Sequence, residues 1–250
     1  MGGAWEEVRA AAADTASGAA EIARRAAETL ALLPASDLPE AVRALVRGHP
    51  PMAPLWRLGD VVLSSRDHAA AAARFVSDLD HERDAIARDA SRVLDNEIVT
   101  HSYSSTLVAA VAGAGVTALC GRSDPGGEGA RTAERLTSLG VEARLVDDDG
   151  ALWWASNGRT VVTGADAVGP GGVVNKVGTA ALAEAAGRCY AVAGSSKFLG
   201  ADPPAPVPFE RVPLHLFAGI VTDVGVLTPE DAAGLAGRFE LHPALADLLD

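Results

Sequence analysis

The pattern of this 250-residue chain changes once, near residue 96, and this change constrains the fold more than any other feature. Residues 1–95 carry apolar side chains at intervals of three and four residues with hardly any strand signal, which is typical of packed helices. From Glu97 onward, short β-branched runs alternate with helical segments of about 10 to 15 residues, which indicates a parallel sheet with right-handed crossovers. The sequence therefore predicts an α/β fold: an N-terminal helical domain, 1–95, followed by a Rossmann-like parallel-sheet domain, 96–250, for ligand binding.

The predicted elements follow the same division. Helices are expected at 5–13, 19–33, 38–46, 52–64 and 67–94. Strands are expected at 97–101, 116–120, 141–146, 160–163, 189–193 and 220–226. Further helices are expected at 106–114, 128–139, 176–186 and 229–238, the last with Thr228 as its N-cap.

Composition and charge argue against several classes of protein. The formal net charge is −12, and binding to nucleic-acid phosphates needs clustered cations, so no direct nucleic-acid partner is expected. Cys120 and Cys189 lie in apolar runs without the spacing of metal ligands, so buried free thiols are expected and a metal site is not. No apolar run approaches the roughly 18 residues of a membrane span. We therefore expect a cytoplasmic protein without metal, cofactor or membrane contact.

Only two lysines occur in the chain, Lys176 and Lys197, although arginine is frequent. Each lies in a Gly-, Ser- or Thr-rich segment next to a predicted strand end or helix start. Because a chain that otherwise uses arginine has kept lysine at these two places, the pattern favours a functional need for a compact ammonium group. The alternative is that both are ordinary surface lysines.

Polar side chains gather where predicted strands end, and this is the edge at which open parallel sheets bind ligands. Residues 100–106 read Thr-His-Ser-Tyr-Ser-Ser-Thr after the first strand, and Asp166 follows the fourth strand. Asn175 and Lys176 are expected to open a helix, and Lys197 follows the fifth strand. Hydroxyls, amides and two ammonium groups can hold a phosphate, with Asp166 as the lone carboxylate beside it.

Each of these groups also has a purely structural interpretation. Ser104, Ser105 and Thr106 are common N-cap residues, and Asp166 can cap a turn. His101, next to a buried strand, is more typical of a hydrogen-bonded core histidine than of a catalytic base. The usual glycine patterns of nucleotide-binding loops are absent from the sequence.

Four motifs occur in a specific order: Thr-His-Ser-Tyr-Ser at 100–104, Gly-Ala-Asp-Ala-Val at 164–168, Val-Asn-Lys-Val-Gly-Thr at 174–179 and Ser-Lys-Phe at 196–198. Together they resemble the family that unites the alpha, beta and delta subunits of eukaryotic translation initiation factor 2B with ribose-1,5-bisphosphate isomerase and methylthioribose-1-phosphate isomerase. Similar segments near both ends extend the resemblance over most of the chain. It implies a helical domain followed by a Rossmann-like domain that dimerises.

The resemblance also implies a chemistry. In the isomerases of this family, a cysteine after Thr-His acts as acid and base together with the aspartate of Gly-Ala-Asp. They open a phosphorylated ribofuranose and move the carbonyl from C1 to C2. Asp166 matches that aspartate, whereas the cysteine position is occupied by Ser102. A serine hydroxyl is a far weaker acid than a thiol, whose pKa is about 8.5, so proton transfer is expected to suffer.

Three positions that carry arginine in the resembled family carry other residues here. They are Ser17, before Gly18-Ala19; His49, before Pro50; and Asp124, before Pro125. Losing a charge-assisted phosphate contact costs about 1.5 to 3 kcal/mol, so a bisphosphate should bind poorly. Asn175, Lys176 and Lys197 remain to hold one phosphate.

The sequence thus favours an initiation factor 2B alpha-like protein, a homodimer or higher homo-oligomer, that binds a phosphorylated ribose or a nucleoside monophosphate in a degenerate sugar-phosphate isomerase pocket. Two alternatives stay open. One is an active aldose–ketose isomerase on a ribose 1-phosphate, in which Asp166 shares proton transfer with Ser102 or His101. The other is a structural assembly subunit with a vestigial pocket. The expected site residues are Asp166 and Ser102 for catalysis, and Gly18, Ala19, His49, Ser104, Ser105, Thr106, Asn175, Lys176 and Lys197 for ligand binding.

Overall fold

The computed structural model describes residues 2–249, and this part of the chain begins with helices alone. The helices before the first strand are α1 (Gly2–Ala12), α2 (Ala19–Leu30), α3 (Leu38–Gly48), α4 (Ala53–Leu63) and α5 (His68–Asp89). Local chemistry sets their starts. Pro54 stands in the first turn of α4, where a missing N–H breaks no helical bond. Asp67 caps α5 because its carboxylate accepts the N–H of Ala70 at 2.9 Å.

The helices pack around an aliphatic core. On α2 the buried residues recur at helical spacing, at Ala19, Ile22, Ala23, Ala26, Ala27 and Leu30. Trp56 of α4 is fully buried, and its indole N–H donates to the carbonyl of Pro50 at 2.9 Å. The same core includes Ala167, Val174 and Leu199, which come from the later part of the chain. The helical region and the second half therefore share packing, and a domain boundary at residue 95 stays a prediction.

The second half alternates strands and helices. The strands are β1 (Glu97–Thr100), β2 (Thr117–Gly121), β3 (Glu142–Val146), β4 (Thr160–Gly164), β5 (Ala167–Gly169), β6 (Gly172–Lys176), β7 (Cys189–Val192), β8 (Phe209–Val212), β9 (Gly219–Thr222) and β10 (Gly225–Leu227). The helices are α6 (Ser105–Val111), α7 (Glu128–Ser138), α8 (Asp148–Ser156), α9 (Thr179–Ala185) and α10 (Pro229–Ala236). Thr228 caps α10 as predicted, because its hydroxyl accepts the N–H of Asp231 at 3.1 Å.

Seven strands of the described chain form the central sheet, in the order β10-β9-β7-β4-β1-β2-β3. Each neighbouring pair is parallel except β9 and β10, which form an antiparallel edge hairpin. Thr100 is in register with Cys120, and Gly164 with Val192. The segments that follow β1, β4 and β7 therefore leave the sheet at the same edge. The predicted α/β fold, with a helical N-terminal region and a mostly parallel Rossmann-like sheet, is confirmed.

A second, three-stranded antiparallel sheet, in the order β5-β6-β8, corrects one prediction and adds elements that were not predicted. Asn175 and Lys176 do not open a helix: they end β6, and α9 begins at Thr179. The segment predicted as one strand at 220–226 is the β9–β10 hairpin. Gly172 turns into β6 with φ of +149°, and an added Cβ would lie 2.3 Å from the carbonyl oxygen of Val212, so only glycine fits there.

Two further findings bear on the expectations from composition. Both cysteines, Cys120 and Cys189, are buried free thiols, and burial raises the pKa of each to about 12. Over residues 2–249, every helix is too short or too polar to cross a membrane.

Candidate functional site

A small closed pocket lies at the carboxyl edge of the central sheet, beneath the start of α2. Its volume is about 10 Å³, enough for a single water molecule. The lining residues come from the start of α2, the β1–α6 loop, the end of β4, strand β6 and the turn after β7. They are Gly18, Ala19, Ala20, Tyr103, Ser104, Ser105, Ala165, Asp166, Asn175 and Lys197. Seven of the eleven predicted site residues therefore meet in one place.

Asp166 is held in this pocket by its backbone. Its N–H donates to the carbonyl of Val174 at 2.8 Å, and its own carbonyl accepts the N–H of Ala53 at 2.9 Å. The carboxylate itself makes no hydrogen bond within residues 2–249. Burial raises the pKa of Asp166 to about 6, and the nearby Lys197 opposes the rise. A carboxyl group with a pKa close to neutrality is suited to acid and base work.

Lys197 faces the same pocket from a 3-10 turn (Ser195–Lys197) that follows β7. The residue is only 4% exposed, yet in the described part of the chain no acceptor lies within hydrogen-bond or ion-pair distance of its ammonium nitrogen. Burial lowers the pKa of Lys197, and the carboxylates of Asp166 and Glu82 oppose the shift. Asp166 and Lys197 are thus neighbouring opposite charges that do not bond each other, and neither side chain has another hydrogen-bond partner among residues 2–249.

Hydrogen bonds to two residues that the sequence did not indicate hold the Lys197 turn in place. Glu82 of α5 accepts the N–H of Ser196 at 2.8 Å and its hydroxyl at 2.6 Å, and burial raises the pKa of Glu82 to about 7. Ser195 donates its N–H and hydroxyl to Asp223, which follows β9, at 2.7 and 2.9 Å. These contacts join helix, turn and sheet, so the position of Lys197 depends on tertiary packing. Glu82 carries no local signal, because acidic residues are ordinary on the polar face of a long helix.

The other pocket residues have defined structural tasks as well. Ser104 caps α6, since its hydroxyl accepts the N–H of Leu107 at 3.3 Å. The Asn175 side-chain amide donates to the hydroxyl of Thr179 at 3.0 Å, which leaves its second N–H available. The cap interpretation and the ligand interpretation of Ser104 are therefore compatible.

Lys176 lies outside this pocket. Adjacent residues of a strand point to opposite faces, so Asn175 and Lys176 of β6 cannot both line the same cavity wall. The Lys176 ammonium instead donates to Glu128 of α7 at 2.6 Å, and its side chain is almost fully buried. The expectation that the two lysines grip one phosphate is corrected accordingly: only Lys197 lines the pocket.

Ser102 and His101 also lie beside the pocket without lining it. Ser102 adopts a left-handed backbone with φ of +63°, and its N–H donates to the hydroxyl of Ser123 at 2.6 Å. Ser123 is left-handed too, with φ of +67°, and its hydroxyl lies 3.1 Å from Nδ1 of His101. The Nε2 atom of His101 lies 2.8 Å from the carbonyl of Val177 and donates to it. Burial lowers the pKa of His101, which therefore fits the structural interpretation of a neutral, hydrogen-bonded core histidine.

Two more predicted ligand residues are placed elsewhere. His49 is buried, and its Nε2 atom lies 2.7 Å from the carbonyl oxygen of Ala11, so the ring ties the end of α3 to α1. Thr106 is buried in α6 and borders a neighbouring surface groove of about 360 Å³ that it shares with Arg24 and Arg25.

A further set of contacts lies beside the pocket, at the start of α2, and includes the lining residue Tyr103. The Tyr103 hydroxyl donates to Oε1 of Glu21 at 3.0 Å, and Oε2 of Glu21 accepts the N–H of Gly18 at 2.9 Å. Arg131 of α7 pairs with Oε2 of Glu21 at 3.2 Å, donates to the carbonyl of Ala16, and places its guanidinium 3.6 Å from the centre of the Tyr103 ring. Sequence reasoning missed Glu21, Tyr103 and Arg131, because their positions depend on how distant helices pack.

A larger cavity lies elsewhere in the described chain. It measures about 490 Å³ and lies between α4, α5 and the turn after β7. Ser195 and Ser196 of this cavity are bonded to Asp223 and Glu82, while Asp78 makes no hydrogen bond among the described residues. The smaller pocket is the better candidate site, because seven of the predicted site residues line it and none lines the larger cavity.

Fold and pocket together define a class: α/β proteins with a helical N-terminal region and a mostly parallel sheet, here with a candidate site at the carboxyl ends of the strands, between a carboxylate and an ammonium group. The chain belongs to the initiation factor 2 subunit family, whose model matches residues 15–201. The resemblance recognised from the motifs is thereby confirmed.

The similar proteins include both sugar-phosphate isomerases and a translation initiation factor. The chain is 37% identical over 101 residues to a ribose 1,5-bisphosphate isomerase of Haloferax volcanii, a match that covers 38% of this chain and 31% of that protein. The structure is similar to translation initiation factor eIF-2B of Pyrococcus horikoshii OT3, with a TM-score of 0.84, 24% identity and coverage of 92% of this chain and 98% of that one. It is also similar to 5-methylthioribose 1-phosphate isomerase of the same organism, with a TM-score of 0.69, 20% identity and coverage of 98% and 87%. At these identities the structural likeness establishes the fold.

Proposed function

We propose that the chain binds a phosphorylated ribose or a nucleoside monophosphate in the pocket between Asp166 and Lys197, and that it does not isomerise this ligand. The observation that carries the proposal is the pair of opposite charges that line one cavity without bonding each other or any other group of residues 2–249. A phosphate accepts hydrogen bonds from Lys197 and from the free amide N–H of Asn175. A ribose hydroxyl donates to Asp166.

Among the two lysines and His49 that were predicted to bind the ligand, only Lys197 lacks a hydrogen-bond partner in the described chain, which favours a ligand with one phosphate. Lys176 is already paired with Glu128, and His49 is bonded to a backbone carbonyl of α1. A bisphosphate would have to place its second phosphate without either group, which supports a monophosphate as the preferred ligand. Assembly as a homodimer and a cytoplasmic location belong to the same proposal.

Binding is favoured over turnover because of the surroundings of Ser102. In the described part of the chain its hydroxyl makes no hydrogen bond, so no base is in place to activate it. A serine hydroxyl without an adjacent base is a poor proton shuttle. The pKa of Asp166, about 6, favours the second candidate, an aldose–ketose isomerase on a ribose 1-phosphate.

Calorimetric titration with AMP, ribose 5-phosphate and ribose 1,5-bisphosphate tests the proposal. Lys197→Met is expected to weaken binding of the monophosphates at least tenfold, because it removes the one cation that lines the pocket. Lys176→Met is the matched control, since it removes the other lysine from a position outside the pocket, and it is expected to change affinity less than threefold. A larger loss in Lys176→Met would place the ligand elsewhere. Absence of binding to wild type by all three compounds would favour the structural-subunit alternative.

A further inference from the structure

Glu21 makes the contacts that a phosphate group would make at the start of α2. Its carboxylate accepts the N–H of Gly18 at 2.9 Å, the hydroxyl of Tyr103 at 3.0 Å and the guanidinium of Arg131 at 3.2 Å. A backbone N–H at a helix start, a guanidinium and a hydroxyl are donors that bind phosphate oxygens well. The chain therefore fills an anion position with its own side chain.

Arg131 brings a second positive charge to the start of α2, where Arg25 already lies 3.4 Å from the hydroxyl of Ser17 and pairs with Asp14. Arg131 lies on α7 and reaches across to the carbonyl of Ala16, next to Ser17. Ser17 is the position at which the resembled family carries an arginine. A cation that is missing from the loop is thus supplied by a helix more than a hundred residues away in sequence.

The same contacts close the pocket. Tyr103 is one of the lining residues, and a Cβ added to Gly18 would lie 3.6 Å from its ring, so the ring rests on the α2 start. With this cover in place the cavity has room for about one water molecule, far less than a ribose phosphate needs. The Glu21–Arg131 pair that holds the cover is half-exposed on both sides, and pairs of this kind contribute little to stability. Moving the Tyr103 ring away from the start of α2 should therefore cost little free energy.

An independent observation points to a ligand beneath the cover. Lys197 is more than nine-tenths buried, lines the same cavity, and has no acceptor for its ammonium within residues 2–249. The carboxylates of Asp166 and Glu82 lie near it without forming an ion pair. A buried ammonium group without a hydrogen-bond acceptor is costly, so its position in the cavity wall favours an anionic group of a ligand there.

We infer that Glu21 is an internal competitor for this site: the single phosphate that Lys197 and Asn175 hold also displaces the Glu21 carboxylate, takes over Arg131 and the N–H of Gly18, which lines the same pocket, and opens the Tyr103 cover. This inference rests on the proposed function and adds to it a phosphate-binding residue, Arg131, and an inhibitory one, Glu21. No covalent step is involved, only an exchange of one anion for another.

The test compares Glu21→Gln with wild type by calorimetric titration with ribose 5-phosphate and, separately, with unphosphorylated ribose. Glutamine has nearly the same shape and keeps an acceptor for the Gly18 N–H, but it lacks the charge that holds Arg131. Glu21→Gln is expected to bind ribose 5-phosphate at least tenfold more tightly than wild type, with no change for ribose. The double variant Glu21→Gln, Arg131→Gln is expected to lose that gain. Thermal unfolding checks that each variant is folded.

Glu28→Gln is the matched control, because Glu28 is exposed on the same helix and makes no ion pair among the described residues. Glu28→Gln is expected to bind ribose 5-phosphate as wild type does. An equal gain in affinity in this control would refute the inference, because the change in net charge alone would then explain the gain. If wild type and Glu21→Gln bind ribose 5-phosphate equally, the competitor role is refuted while the proposed function stands. If neither binds, both fail together. A gain that survives in the double variant would remove Arg131 from the site.

Discussion

Replacing Glu82 with glutamine should stabilise the protein at pH 8 and leave its stability nearly unchanged at pH 4.5. Burial raises the pKa of this carboxyl from its ordinary value of 4.5 to about 7, with Asp223 adding to the rise while Ser196 and Lys197 oppose it. Between these two pH values the folded protein binds more protons than the unfolded chain, so this group lowers stability as pH rises through the window. At about 1.36 kcal/mol for each pH unit, the charged form costs about 3 kcal/mol at pH 8.

Glutamine keeps both contacts to Ser196, as acceptor for its N–H and as donor to its hydroxyl, and it carries no charge at any pH. The expected gain is therefore about 2 to 3 kcal/mol at pH 8 and close to zero at pH 4.5, where Glu82 is protonated. Urea unfolding at both pH values measures it. Asp166 also has a raised pKa, but it is present in both proteins and cancels in the difference.

Asp78→Asn serves as the control for this experiment, because Asp78 lies on the same helix with an exposed carboxylate that makes no hydrogen bond in the described chain. It should change the free energy of unfolding by less than about 0.5 kcal/mol at either pH. If Glu82→Gln and wild type differ by the same amount at pH 4.5 and pH 8, the buried charge of Glu82 is not the cause and the reasoning is refuted.

Three further outcomes are expected. Gly129→Ala should lower the free energy of unfolding by about 2 to 4 kcal/mol, measured by urea unfolding, because an added Cβ would lie 1.7 Å from a backbone oxygen of β2. Gly113→Ala is the control and should have little effect, because the space around Gly113 is open. His49→Ala should lower it by about 2 to 3 kcal/mol through loss of a buried hydrogen bond and creation of a cavity, yet leave ribose 5-phosphate affinity within about twofold of wild type in the same calorimetric titration. Ser102→Cys should gain ribulose phosphate formation from a ribose 1-phosphate in a coupled assay, while robust turnover by wild type would establish the isomerase alternative.

Much of the order of helices and strands could be predicted, because most elements carry their own period, but helix α8 and strands β5, β6 and β8 were not predicted. The first five helices and the strands of the central sheet show apolar spacings that local sequence alone reveals. Strands β5 and β8 are only three and four residues long, too short for a period to be recognised. The segment of β6 ends in Asn175 and Lys176, which suit a helix start in isolation, and its strand conformation comes from pairing with β5 and β8 on either side.

The candidate site was predictable to the extent that sheet topology determines it. Asp166 and Lys197 follow neighbouring strands, so the carboxyl edge brings them together. Because β6 was not predicted as a strand, the side-chain direction of Lys176 was missed as well. Side chains of adjacent residues point to opposite faces in a strand but not in a helix. Glu82 and Arg131 lie on α5 and α7, and only the packing of these helices against the pocket loops brings them to the site. This packing cannot be predicted from the local sequence around Glu82 or Arg131.

Recognition and proton transfer make different demands on this pocket. Moving a carbonyl from C1 to C2 requires one group that removes a proton and one that delivers it. Asp166 has the environment of such a group, because burial holds its pKa at about 6. At the other position, the hydroxyl of Ser102 has no base in hydrogen-bond contact within residues 2–249, and its left-handed backbone is bonded to Ser123. The proposed binding of one phosphate requires only Lys197, the amide of Asn175 and an opened α2 start. Because these groups are present among the described residues and the pair needed for turnover is incomplete, we propose binding rather than turnover.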